Sequence, residues 1–254
     1  YRRQRQMCIR DRSHLVQDPT QIYAESERLA RDSGGHFMDQ FTYAERATDW
    51  RANNNIAESI FSQMHFERHA EPAWLISSPG TGGTTATLGR YVRYRRHATR
   101  VLCADAERSV FFDCYRSGDR SLRLDCGSRI EGIGRPRVEA SFLPAVIDAM
   151  VKVPAALSLA AMHYLARRLG RRVGGSSGTN LVGALQAALH MQAAGESGSI
   201  VAILCDSGER YATTYYDEQW LHQQGYVLEP LIELVAGCVE RGEALPETVL
   251  REGM

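Results

Sequence analysis

Lysine is almost missing from this sequence. Of 30 basic residues only Lys152 is a lysine, and 30 acidic residues balance them. With no excess charge of either sign, there is no global field to draw nucleic acid or an anionic membrane. No lysine closes a glycine-rich turn, which excludes a nucleoside-triphosphate loop of the Walker type. No stretch approaches the ~18 consecutive apolar residues of a membrane span, and no secretory leader is visible. The six cysteines (Cys8, Cys103, Cys114, Cys126, Cys205, Cys238) are scattered without a C-x-x-C pair. That argues against a metal site or a disulfide framework and for reduced thiols in a cytoplasmic protein.

What is present centres on Ser77-Ser78-Pro79-Gly80-Thr81-Gly82-Gly83-Thr84-Thr85. An apolar run, Ala73-Trp74-Leu75-Ile76, precedes it and a helix-compatible run, Ala86 to Arg96, follows it, so the stretch reads as strand, glycine turn, helix. Three glycines in four positions permit positive φ and close backbone approach, and threonine hydroxyls flank a row of amides. With a helix starting near Thr84 or Thr85, such a turn is shaped for a phosphate. The spacing does not complete a Gly-x-Gly-x-x-Gly dinucleotide fingerprint, because Thr85 stands where the third glycine belongs. Asp105 does lie about 20 residues on, so a dinucleotide site and a purely structural turn both stay open from this stretch alone.

At 254 residues the chain is long enough for one large or two modest domains. Residues 1–12 carry five arginines without apolar period and resemble translated sequencing-adaptor sequence, so they are set aside as a non-native segment. Asp18-Pro19-Thr20-Gln21 is an N-cap signal for a helix ending at Gly34-Gly35. A short strand is expected at His36-Phe37-Met38 and a helix from Trp50 to Phe66. Strands are expected at Val101–Ala104, Val151–Val153 and Ile200–Leu204, an apolar helix at Phe142–Met150, and irregular chain over 112–130. Pro154 opens a helix that ends at Gly170. Gly174-Gly175-Ser176-Ser177-Gly178 then forms a second glycine-serine turn ahead of a helix at Leu181–Ala194, and Leu231–Arg241 is a last helix. The arginine- and tyrosine-rich Arg90–Arg96 reads as a solvated helix face rather than a nucleic-acid surface.

Several of these strings, in order, resemble the cysteine synthase and cystathionine β-synthase family of fold-type II pyridoxal-phosphate enzymes. Gly80-Thr81-Gly82-Gly83-Thr84 is similar to the family's phosphate loop, and Ser207-Gly208-Glu209-Arg210-Tyr211 to the ending of cysteine synthases. Gly132-Ile133-Gly134 resembles its pocket-lining segment, Gly174-Gly175-Ser176 the turn whose serine meets the pyridine nitrogen, and Gln40-Phe41 the segment whose glutamine helps hold the substrate carboxylate. The resemblance implies an α/β fold like the tryptophan synthase β-subunit, a parallel or mixed sheet flanked by helices. Residues 13–42 would be a remnant of the smaller N-terminal domain and 43–254 the larger cofactor-binding domain.

It also implies pyridoxal 5'-phosphate as cofactor, with Gly80, Thr81, Gly82, Gly83, Thr84 and Ser176 binding it and Gln40 binding substrate, in a homodimer. A hydroxyl at the pyridine nitrogen keeps the ring a weaker electron sink than a carboxylate would, which favours loss of a β-substituent from cysteine, O-acetylserine or serine. The wording around Trp74–Gly80, Leu165–Gly170 and Cys205–Gly208 is nearest to the actinobacterial L-cysteine desulfhydrase branch, which yields sulfide, pyruvate and ammonia. Cysteine synthase and cystathionine β-synthase are the alternatives in the family. The lysine that anchors the cofactor lies in the family far ahead of the glycine loop, and Lys152 is in the wrong place, expected to snorkel from a strand edge. The chain is therefore expected to be a C-terminal portion that is inactive alone. A nucleotide-binding oxidoreductase and a non-catalytic relative are the competing readings.

Overall fold

The computed structural model describes residues 14–17, 21–51 and 54–246, together with the backbone of 251–253. The adaptor-like segment 1–12 and the cap expected at Asp18–Thr20 lie outside the described residues. The chain divides into two compact units, one reaching Gln40 and the other starting at Phe41. In the first, helix α1 (Ile22–Ser33) ends on Gly34, whose φ of +63° closes the turn that the sequence marks with glycine. The strand expected at His36–Met38 does not form. His36 and Met38 are exposed and, among the described residues, no strand flanks them to take their amides, while Phe37 packs edge-on against Tyr23 at 6.2 Å.

The second unit opens with a 3-10 turn (Ala44–Arg46), followed by α2 (Ile56–Met64), shorter than the Trp50–Phe66 run suggests, because the Asn55 side chain caps it by accepting from the Glu58 amide. There follow β1 (Trp74–Ser77), α3 (Gly83–Arg95), β2 (Arg100–Ala106), α4 (Phe111–Ser117), β3 (Ala149–Val153), α5 (Ala155–Leu169), α6 (Gly175–Ala194), β4 (Ile200–Ala202), α7 (Glu218–Gln223), α8 (Glu229–Arg241) and β5 (Arg251–Gly253). The five strands form one sheet in the order β4-β1-β2-β3-β5; the first four are parallel and β5 runs antiparallel on the edge. A parallel sheet covered on both faces needs apolar residues on both sides of each strand, which is why Trp74-Leu75-Ile76 reads as an unbroken run. Trp74 and Ile76 face α5 and α6 with Leu102, Ala104 and Val151, whereas Leu75 and Val101 face Leu88 and Tyr91 of α3. Among the described residues, no helix is long and apolar enough to cross a membrane.

Two stretches fold otherwise than the sequence suggests. Residues 111–117 make α4 instead of loop, because Phe111, Phe112 and Cys114 are buried against Met150 and Phe142. Phe142–Met150 is no helix: Pro144–Val146 is a single 3-10 turn and the chain then enters β3, whose ladder with β2 claims the amides that a helix would use. Lys152 does not snorkel to solvent. It stands opposite Asp105 in the β2–β3 register, and its Nζ is 2.6 Å from Asp113 Oδ2. The arginines of α3 meet acids: Arg90 meets Glu45, Arg93 meets Asp148 and Arg95 meets Glu58.

Asp105, at the carboxyl end of β2, is wholly buried, and accepts from the amides of Ala106 and Phe112 at 3.0 and 2.8 Å. Burial outweighs these donors and pushes its carboxyl up to about 6. Folding thus favours the protonated form, so its contribution to stability is complete below the ordinary carboxylate range. That contribution declines as pH rises from ~4 to the folded value. Thermal melts of wild type and Asp105→Asn across this interval should show the wild-type advantage shrinking with rising pH and then levelling. A constant difference would contradict the assignment.

Candidate functional site

The chain visits β1, β2 and β3 on one side and returns to place β4 on the other side of β1. Where a parallel sheet reverses its winding, the two crossovers leave in opposite directions and open a crevice beyond the strand carboxyl ends. A cavity of about 460 Å³ lies there, within the size range of small-ligand sites. Its wall joins the loop after β1 (Ser78 to Thr85), the Glu131-Gly132-Ile133 segment with Arg135, Ser176 at the start of α6, Cys205 and Asp206 after β4, and Phe41.

The glycine loop is held open by backbone packing. A Cβ on Gly80 would come within 2.4 Å of the Gly132 carbonyl oxygen. One on Gly83 would lie 2.9 Å from the Ala44 carbonyl oxygen. Gly82 has φ +92° and caps α3, whose first internal bond is from the Ala86 amide to the Gly82 carbonyl. The Gly83 amide bonds the Thr81 hydroxyl at 3.3 Å, while the amides of Thr84 and Thr85 belong to the first turn, where the helix supplies no acceptor. These donors and the positive end of the α3 dipole meet at the cavity and make it an anion cradle. Ser78 Oγ is buried and has no partner; a polar atom left so in a cavity wall is available to a ligand.

The Gly132–Gly134 segment is stitched to this loop by the Gly134 amide, which donates to the Pro79 carbonyl at 2.8 Å, and by Arg135 Nε, which donates to the Gly80 carbonyl at 2.9 Å. The second glycine-serine stretch is not a turn before a helix: α6 begins at Gly175, so Ser176 occupies its first turn and is 4% exposed. Gly174 caps the helix instead, its amide bonded to the Asp206 carbonyl at 3.0 Å. A Cβ on Gly174 would meet Asp206 Oδ1 at 1.8 Å. The Tyr211 hydroxyl donates to Asp206 at 2.8 Å, with its phenol pushed up by burial and by that carboxylate. Glu131 pairs with Arg210 at 2.5 Å.

All the residues expected to hold a cofactor, Gly80 to Thr84 and Ser176, therefore line one cavity. Gln40, expected to hold substrate, is the exposed last residue of the N-terminal unit. Arg135 and Cys205 also line it; nothing in their local spacing singles them out. The Cys205 thiol is raised by burial and opposed by a hydrogen bond with Ser176. Asp105, the acid that would hold a ribose in the dinucleotide reading, is committed to backbone amides away from this wall. The only lysine, Lys152, is not among the lining residues.

Comparison with known proteins gives a consistent picture. The profile of the family described as "Pyridoxal-phosphate dependent enzyme" matches residues 11–206. L-cysteine desulfhydrase Cds1 of Mycobacterium tuberculosis is 54% identical over 233 residues, 89% of this chain and 63% of that protein. Cysteine synthase 2 of Schizosaccharomyces pombe is 30% identical over 76% of this chain and 49% of its own, and mouse cystathionine beta-synthase 26% over 77% and 33%. The chain thus spans less than two thirds of the length of these relatives. The crystal structure of an O-ureido-L-serine synthase superposes with a TM-score of 0.59 at 24% identity, covering 77% of this chain and 57% of that one. It shows the fold alone.

Proposed function

Because the chain belongs to the pyridoxal-phosphate dependent enzyme family, we propose that its cavity holds pyridoxal phosphate for the β-elimination of cysteine to sulfide, pyruvate and ammonia. The observation that carries this is the juxtaposition of two distant glycine-serine stretches on one cavity wall. The residues present fit the group: a loop that a Cβ would fill, amides and a helix N-terminus for the phosphate, and an unpartnered Ser78 hydroxyl. When bound, the cofactor supplies the electron sink through which the substrate α-proton and β-sulfur leave.

The chain's own residues do the rest. Gly80 to Thr84 would hold the phosphate, and Ser176, fixed in the first turn of α6 on the same wall, would offer its neutral hydroxyl to the pyridine nitrogen. A serine hydroxyl there would donate a hydrogen bond to the nitrogen without the charge of a carboxylate to keep it protonated. Lys152 is paired to Asp113 and does not line the cavity, so it is given no part in anchoring the cofactor. The desulfhydrase choice over a synthase rests on the Mycobacterium relative, and a cytoplasmic homodimer on family likeness. The full-length protein, given cysteine and pyridoxal phosphate, should release sulfide and pyruvate in equal amounts. Sulfide consumed with O-acetylserine, and none released from cysteine, would make it a synthase.

A further inference from the structure

The Glu131-Gly132-Ile133 segment and the start of α6 line the cavity from distant parts of the sequence, and the function proposed above does not say what holds them in place. Two successive tyrosines that do not line the cavity grip the backbone of both. The Tyr215 hydroxyl accepts from the Glu131 amide and donates to the Arg129 carbonyl, each at 2.9 Å. The Tyr216 hydroxyl accepts from the Val173 amide at 3.0 Å and donates to the Val173 carbonyl at 2.8 Å. An isolated antiparallel bridge pairs Val173 with Ser207, and in it the Arg172 carbonyl and Gly174 amide bond the Gly208 amide and the Asp206 carbonyl. Alternation along the chain turns Val173's own polar groups the other way, onto Tyr216. Burial pushes both phenols up, which keeps the donated proton on each oxygen.

The rings that carry these hydroxyls are themselves fixed. Tyr215 is 6% exposed, stacks on Tyr211 with ring centroids 4.8 Å apart and meets Trp220 edge-on at 5.6 Å. It also touches the start of α6, where a Cβ on Gly175 would lie 3.3 Å from Tyr215 Cε2 and 3.1 Å from Ile130 Cγ2. The His163 ring of α5 packs on Tyr216 at 4.9 Å, and its Nε2 lies 2.8 Å from the Tyr215 carbonyl oxygen. Each phenol spends its one proton and a lone pair on a backbone donor and acceptor, so removing a hydroxyl leaves an amide and a carbonyl without that partner. A wall ordered before binding costs the ligand little, whereas one that drifts must be ordered out of binding energy. We infer that Tyr215 and Tyr216 are positioning residues, which hold the Gly132-Ile133 wall and the Ser176 wall at the separation the cofactor ring requires. The assignment rests on the cavity being the pyridoxal-phosphate site.

The test uses the full-length protein and the variants Tyr215→Phe, Tyr216→Phe and Tyr164→Phe. The first two keep the ring and lose the hydroxyl. The third loses a hydroxyl bonded to Glu240, a pair in which neither residue lines the cavity. Hydrogen–deuterium exchange without cofactor should quicken roughly tenfold at the Glu131 amide in Tyr215→Phe and at the Val173 amide in Tyr216→Phe. Affinity for pyridoxal phosphate, followed by its absorbance, should fall by about the same factor in each, and the visible circular dichroism of the bound cofactor should weaken. Tyr164→Phe should lower the melting temperature and leave affinity and dichroism as in wild type. Unchanged exchange at the two amides would overturn the inference whether or not cofactor binds. So would quickened exchange with wild-type affinity and dichroism, or an equal loss of affinity in Tyr164→Phe. A wild-type protein that takes up no cofactor, with the exchange changes as expected, would instead overturn the function on which the assignment rests. Undiminished protection of the amides of β1 to β3 separates these outcomes from misfolding.

Discussion

Gly82→Ala is expected to abolish uptake of pyridoxal phosphate and to destabilise the protein by about 3 kcal/mol. The estimate combines ~1–2 kcal/mol for a side chain in left-handed backbone with ~1–3 kcal/mol for overpacking. Gly82 sits at φ +92°, and its Cβ would lie 2.7 Å from Phe142 Cα and 2.9 Å from the Ser141 carbonyl oxygen. Both obstacles are backbone and cannot swing away, so the loop itself must move, and with it the amides at the head of α3. Gly118 is the control. It has φ +75°, and a Cβ there would meet nothing within 4 Å, so Gly118→Ala should cost only ~1–2 kcal/mol and leave cofactor binding intact. Absorbance titration and thermal melts of both variants measure the two effects, and equal behaviour would refute the role given to the loop's packing.

The second large effect is expected from the other side of that contact. Phe142 is fully buried, packs on Phe111 with ring centroids 4.5 Å apart, and its carbonyl accepts from Arg120 at 3.0 Å. Phe142→Ala removes a large ring from a tightly filled cluster of Cys103, Phe112, Cys114 and Met150. It should cost ~3–5 kcal/mol, lowering the melting temperature by roughly 10 °C. Because Gly82 rests on the Phe142 backbone, cofactor affinity should fall as well. A variant with wild-type melting behaviour would show that this cluster does not support the loop.

Much of the site is legible in the sequence because its parts are local. A strand, three glycines and a helix start can be read from adjacent residues, and the phosphate-cradle reading of Gly80–Thr84 needs little beyond them. The parallel strands are legible for the same reason, since burial on both faces writes itself as an apolar run. What cannot be read depends on distant partners. Arg135 becomes a cavity residue only because its Nε reaches Gly80, 55 positions away. Phe142–Met150 has the composition of a helix, yet pairing of its end with β2 decides for strand. Glycine and serine are weak helix formers, so the local sequence puts Ser176 in a turn. Packing of α6 on α5 and the sheet overrides that preference: a Cβ on Gly178 would lie 2.0 Å from the Ser158 carbonyl oxygen, so small residues are what let the helix begin there.

Cys205 offers the most direct test of where the cofactor lies. Both Cys205 and Cys126 are exposed, but only Cys205 lines the cavity. Alkylation of the full-length protein, quantified at each cysteine by peptide mass spectrometry, should proceed at both residues without cofactor. Saturating pyridoxal phosphate should slow Cys205 more than about tenfold and leave Cys126 unchanged. Equal alkylation of Cys205 with and without bound cofactor would place the ring outside this cavity and contradict the account.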